Sequence, residues 1–261
     1  MSAYLHRLRL AALFAALCSA APAVAQRDDP LPRFEDPLCP GIVGLKVEAA
    51  EAMVGRIRMR AEELGLRTAP ADGCEPNMIV GFIPDGRGYL QRLKRERSPI
   101  FESLGLRERE DLLAHDGPVH VLAQIRTRSR DGMVVPRSNG LVQPPQTEMW
   151  MAHSRIYTAT RQDITSVLLL IDPAAIGGMT LDQLADYSAM RAFAPALPQE
   201  QEVKEGSILT LFDAPAESRP TQLSPADGAA LAALYDGLPT LPASARIAAI
   251  GRASGQQGED E

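Results

Sequence analysis

The stretch "ITSVLLLIDPAAIGGMTLDQLADYSAMRAF" (residues 164–193) decides how this chain is read. Its first part, from Val167 to Ile171, is an unbroken apolar run, and with its flanks it reads as a strand. Thr180 is followed three residues later by Gln183, a capping-box pattern that predicts Thr180 as a helix N-cap. Leu181, Leu184, Ala185, Ser188 and Ala192 then share one helical face, and Asp182, Asp186, Met190 and Phe193 form an adjacent strip. "PALP" (195–198) ends the helix. The helix carries two aspartates, a tyrosine and two methionines if Met179 before the cap is included. The question it raises is whether it performs chemistry or only packs.

Upstream, "HSRIYTAT" (153–160) and "ITSVLLLID" (164–172) read as two strands joined by "RQD", a connection short enough for an antiparallel pair. "GPVHVLAQIRTR" (117–128) alternates as a strand does, and "NMIVGFI" (77–83) reads as a buried one. Residues 45–66 repeat apolar positions with a 3.6-residue period, which predicts a long helix ending near Gly65. A basic helix is predicted over 87–97, carrying Arg87, Arg92, Lys94, Arg95 and Arg97, and another helix over 100–114. The basic helix reads first as a solvated face and second as a reader of anions. Downstream, "GSILTLF" (206–212) reads as a short strand. "LSPADGAALAALYDG" (223–237) is a well-marked helix, with Ser224 at the N-cap, Pro225 at N1 and Gly237 at its end. Elements that alternate in places and pair locally in others predict an α+β fold, with a mixed or antiparallel sheet packed by several helices.

The N-terminus reads as a secretory signal peptide over 1–25: Arg7 and Arg9, an apolar run over 10–21, and "AVA" before Gln26. The run falls short of the roughly 20 apolar residues of a membrane anchor. The remaining organisation is an extended proline-rich leader (26–40), an N-terminal α/β part (41–128), a turn-rich connection (129–150), a C-terminal α+β part (151–250) and a disordered tail (251–261). Net charge is −6, and cleavage removes two arginines to leave −8, which argues against nucleic acid as a partner. No integral membrane segment is expected after cleavage. The expected location is periplasmic or secreted. Cys39 and Cys74 remain once Cys18 leaves with the signal, and in an exported chain they are expected to form one disulfide. That bridge closes a loop of about 36 residues, worth about 3–4 kcal/mol in the chain-entropy model.

The succession "SVLLLID", "LDQLADYSAMRAF", "GSILTLFD" and "TQLSPADGAALAALYDG" resembles the layout of zincin-like secreted proteins over roughly residues 160–237. In those proteins a helix bearing HExxH follows a strand. The resemblance places that motif on Asp186, Tyr187, Ser188, Ala189 and Met190. HExxH works because two histidines at i and i+4 share a zinc ion while the glutamate activates water. Here Asp186 keeps a possible ligand, Met190 is a poor one, and Tyr187 replaces the base, so the resemblance implies a pseudoenzyme. The chain as a whole, including "CEPNMIVGFI" and "QLADYSAMRAFA", also resembles a group of uncharacterised exported bacterial proteins, which implies export and no activity.

Read from the residues alone, the helix is a packing element, with Arg191, Arg155 or Arg161 as expected partners of the Asp182/Asp186 pair. His120 reads as a semi-buried strand histidine. No serine sits in a nucleophile elbow, and no phosphate-binding glycine pattern is present. The expected role is a non-catalytic, exported domain acting through a protein or envelope component, with no cofactor. The rival expectation is a divergent metallohydrolase using Asp186 with His153 or His120.

Overall fold

A computed structural model of the chain describes residues 28–135, 156–197 and 206–256. The predicted signal peptide, most of the turn-rich connection, His153 and residues 257–261 lie outside these ranges. The described residues form an α+β domain with seven α-helices and one four-stranded mixed sheet. The strands are β1 (Pro40–Val43), β2 (Met78–Phe82), β3 (Val119–Ser129) and β4 (Thr160–Ile171), in spatial order β1-β2-β4-β3. The first three in that order run parallel, and β3 is antiparallel to β4 at the edge. Strands from both halves of the sequence therefore share one sheet.

Alternation along the strands sorts side chains to two faces. Val167, Leu169 and Ile171 of β4 point into a core that also holds Met78, Val80 and Val119. Leu170 of β4 and Leu122 of β3 point into a second, smaller core. Helices cover both. On the first face lie α1 (Val47–Glu63), which buries Met53, Ile57 and Ala61, and α5 (Leu181–Phe193). On the second lie α2 (Gly86–Arg95), α3 (Pro99–Glu102) and α4 (Leu106–Ala114), through Leu90, Leu93 and Phe101. α5 is buried almost all round, and the fully buried Ala185, Ala189 and Ala192 let its neighbours approach closely. Its capping box forms as read: Thr180 Oγ1 accepts from the Gln183 N–H, and Gln183 Oε1 accepts from the Thr180 N–H.

α6 (Pro225–Tyr235) starts at Ser224 as expected. Its C-terminal carbonyls meet two guanidinium groups. Arg33 donates to the carbonyls of Leu234, Tyr235 and Gly237. Arg246, on α7 (Ala243–Gln256), donates to those of Ala233, Asp236 and Leu238. Cations at this helix end satisfy orphan carbonyls and oppose the helix dipole. Asp28 closes the same region by accepting from the Ser244 N–H and hydroxyl. Arg33, Phe34 and Leu38 of the proline-rich leader are buried in the fold. Cys39 and Cys74 form the disulfide, with S–S 1.98 Å and Cα–Cα 6.2 Å.

Four readings are corrected. The strand pair joined by "RQD" is, over its described part, one strand running from Thr160. Asp163 is fully buried there and flanked by Arg161 and Arg128, which offsets its charge without a turn. "GSILTLF" contains a 3-10 turn over Ile208–Thr210 rather than a strand, because the Asp227 carboxylate takes the Ile208 N–H and the Ser207 hydroxyl. The helix expected over 100–114 is two pieces, α3 and α4, separated at Ser103–Gly105 with Leu104 turned inward. The expected tail is helical as far as Gln256.

Candidate functional site

Asp186 is the residue on which the sequence placed most weight. It is fully buried, and its carboxylate accepts five hydrogen bonds. Arg56 donates from Nε to Oδ1 and from Nη2 to Oδ2, both at 2.9 Å. Arg60 does the same at 2.9 and 3.0 Å. The Leu223 N–H adds a fifth bond to Oδ2 at 2.9 Å. Arg56 and Arg60 are one helical turn apart on α1, so the two forks converge on one carboxylate. Burial pushes the Asp186 carboxyl up, but the hydrogen bonds from Arg56 and Arg60, with the Leu223 N–H, outweigh it and hold the group well below the usual carboxylate range. Arg56 also reaches Asp182 at 3.3 Å. The partners are therefore Arg56 and Arg60, not the arginines expected from sequence. The carboxylate joins α1, α5 and the start of α6.

Asp186 and His120 stand on opposite sides of the sheet. Asp186 belongs to the α1/α5 layer. His120 alternates with Val119 and Val121 on β3 and lies on the α2–α4 side, where a Cβ added at Gly86 would come within 2.8 Å of its Cδ2. The structure thus separates the two groups that a shared metal site would need together. His153 lies outside the described residues. Among the described residues no three of His, Cys, Asp and Glu converge as metal ligands.

His120 has a different neighbour. Its ring meets that of His115 edge to face, with centroids 5.5 Å apart. His120 is only 5 % exposed, and among the described residues its Nδ1 has no hydrogen-bond partner. Burial, together with the neighbouring His115 and Arg87, lowers its pKa. Among the described residues no carboxylate is hydrogen-bonded to it as a Ser-His-Asp base requires. The pair borders a groove of about 420 Å³ that wraps the edge strand β3. α4 forms one wall. The other comes from Tyr187 and Arg191 of α5 and from Phe212. Arg191 lies over the Tyr187 ring at 5.9 Å, and Tyr187 meets Phe212 edge to face at 4.9 Å. α5 therefore turns Asp186 inward to α1 and the adjacent Tyr187 outward to the groove. The sequence supplied His120 as a candidate but gave no signal for His115, Tyr187 and Arg191 as its companions, since they come together only when β3 takes the sheet edge.

Compared with family models, with curated proteins and with solved structures, the chain shows no match. The likeness to zincin-like proteins rests on sequence pattern alone.

Proposed function

We propose that this protein is a non-catalytic, exported interaction domain that works through a protein or another component of the cell envelope. The observation that carries this reading is the complete internal saturation of Asp186. Where an HExxH helix would present a metal ligand to substrate, this helix presents a carboxylate whose lone pairs are taken by Arg56, Arg60 and Leu223. Two guanidinium groups beside the oxygens also repel a divalent cation. The groove at β3 is of a size that accepts a small ligand or a few residues of a partner. Among the described residues no acid is hydrogen-bonded to its histidine pair, although Glu108, Asp111 and Asp213 line the same groove, which favours binding over turnover.

Metal analysis tests the reading. The purified protein, dialysed without chelator, is expected to carry substoichiometric zinc, unchanged by Asp186→Ala. Stoichiometric zinc that disappears in that variant, with peptidase activity lost in parallel, overturns the proposal in favour of a metallohydrolase.

A further inference from the structure

We infer that the exposed face of α2 is a docking surface for anionic lipid headgroups, distinct from the groove at β3. The motivation is how the cations of the chain are used. Arg33, Arg56, Arg60, Arg87, Arg109, Arg128 and Arg161 are all in ion pairs. Arg58, Arg219 and Arg246 donate to backbone carbonyls. Arg92, Lys94, Arg95 and Arg97 are exposed, and among the described residues no carboxylate stands within ion-pair distance of them. Arg92 only covers the Tyr89 ring, at 4.8 Å. Four unpaired cations thus fall within six consecutive residues of a chain whose net charge is −6. Glu96 is the one acid among them.

Their arrangement suits a flat anionic surface. α2 buries Leu90 and Leu93 against the sheet, so its charged side chains stand on the convex outside. Convex, diverging cations meet headgroups spread over a plane rather than enclosing one phosphate. The same layer presents Leu106, 78 % exposed, next to the exposed Arg107. Exposed apolar side chains accompany cations at interfacial membrane contacts, and here Leu106 opens a helix whose Glu108 and Glu110 are exposed as well. In a chain of net charge −6, this run of cations is the segment such a surface attracts.

One backbone feature supports retention of the charge. Arg97 has φ 52°, the left-handed region, at the position after the helix where glycine is usual. Its N–H bonds to the Lys94 carbonyl, and the Ser98 N–H to that of Leu93. An arginine held where glycine is better suited keeps a cation at the tip of the patch against the local backbone preference.

The test is co-sedimentation with vesicles of phosphatidylcholine alone and of phosphatidylcholine with 30 mol% phosphatidylglycerol, at about 20 and 150 mM salt. It uses the full chain as the expressing cell processes it. We expect binding to the anionic vesicles that weakens with salt, and none to the zwitterionic ones. Each neutralised cation should weaken it about fivefold, so the variant Arg92→Gln/Lys94→Gln/Arg95→Gln/Arg97→Gly should bind at least a hundredfold less. The same variant should melt no lower than the parent, since glycine is the better residue at 97. Should it melt lower, the charge-preserving Arg92→Lys/Arg95→Lys variant still tests the proposal, because it must retain binding. Equal binding to both vesicle types, undiminished binding by the neutralised variant, no binding by the parent at low salt, or tighter binding of a labelled oligonucleotide each overturns the inference.

Discussion

Replacing Asp186 by leucine should be among the most damaging single changes in this protein. The substitution removes five hydrogen bonds at once and leaves Arg56 and Arg60 facing one another without their shared anion. Breaking a buried ion pair from one side costs about 3–5 kcal/mol, chiefly because the surviving charge is stranded. Here the survivors keep some water, with side chains 19 % and 15 % exposed, so the lower end applies, about 3 kcal/mol. With a urea m-value of about 2 kcal/mol/M, the unfolding midpoint should fall by about 1.5 M. The decisive comparison is the triple variant Arg56→Met/Arg60→Met/Asp186→Leu. It removes all three charges together, so no ion is stranded, and it should recover to within about 1 kcal/mol of the parent. Acid unfolding supplies a second readout. The folded carboxyl titrates below its unfolded value of about 3.9, so its stabilisation is complete above that pH and is lost as pH falls below it. The leucine variant should lack this acid-side slope. A single variant as stable as the parent, or a triple variant no better than the single, refutes the account of Asp186 as a structural clamp.

Three further outcomes are expected. Substituting both Cys39 and Cys74 by serine should lower stability by about 3–4 kcal/mol on the chain-entropy estimate for a separation of 35 residues, measured by denaturant unfolding against the oxidised parent. His120 has a folded pKa below its ordinary value, so the unfolded chain takes up its proton first; stability should be full above about pH 6.5 and decline as pH drops from there toward the folded pKa, and His120→Phe should flatten this stretch of a stability–pH profile. Gly44 has φ 92°, and a Cβ there would lie 2.4 Å from the Phe82 carbonyl oxygen, so Gly44→Ala should cost at least about 2 kcal/mol and lower the melting temperature by several degrees.

Much of the framework was legible because local rules and tertiary contacts agree there. Thr180 and Ser224 cap the helices that their spacing announces, and the periodic apolar positions of 45–66 bury Met53, Ile57 and Ala61. The misread segments are those where a distant residue overrides local chemistry. "RQD" reads as a turn until Arg128, on the neighbouring strand, is seen beside Asp163. Residues 251–256 look too rich in glycine and serine for a helix, yet Arg246 and Asp28 fasten α7 from elsewhere in the fold. Asp186 stands out in the sequence, but its partners lie 126 and 130 residues away, beyond any i, i+4 rule. The groove was least legible of all. Its walls come from α4, β3 and α5, and nothing in the order of those segments says that β3 will be the outer strand.

The seam at the end of α6 has a consequence for how the chain is made. Arg33 and Arg246 grip the same turn of helix, and Asp28 holds the first turn of α7. Asp28 and Arg33 therefore wait for partners that follow them by 201 to 216 residues. At ribosomal speeds of about 5–20 residues per second, that interval is on the order of ten seconds or more. Throughout it this seam has no mate. A nascent chain of this design leaves that seam unmade until α7 has emerged.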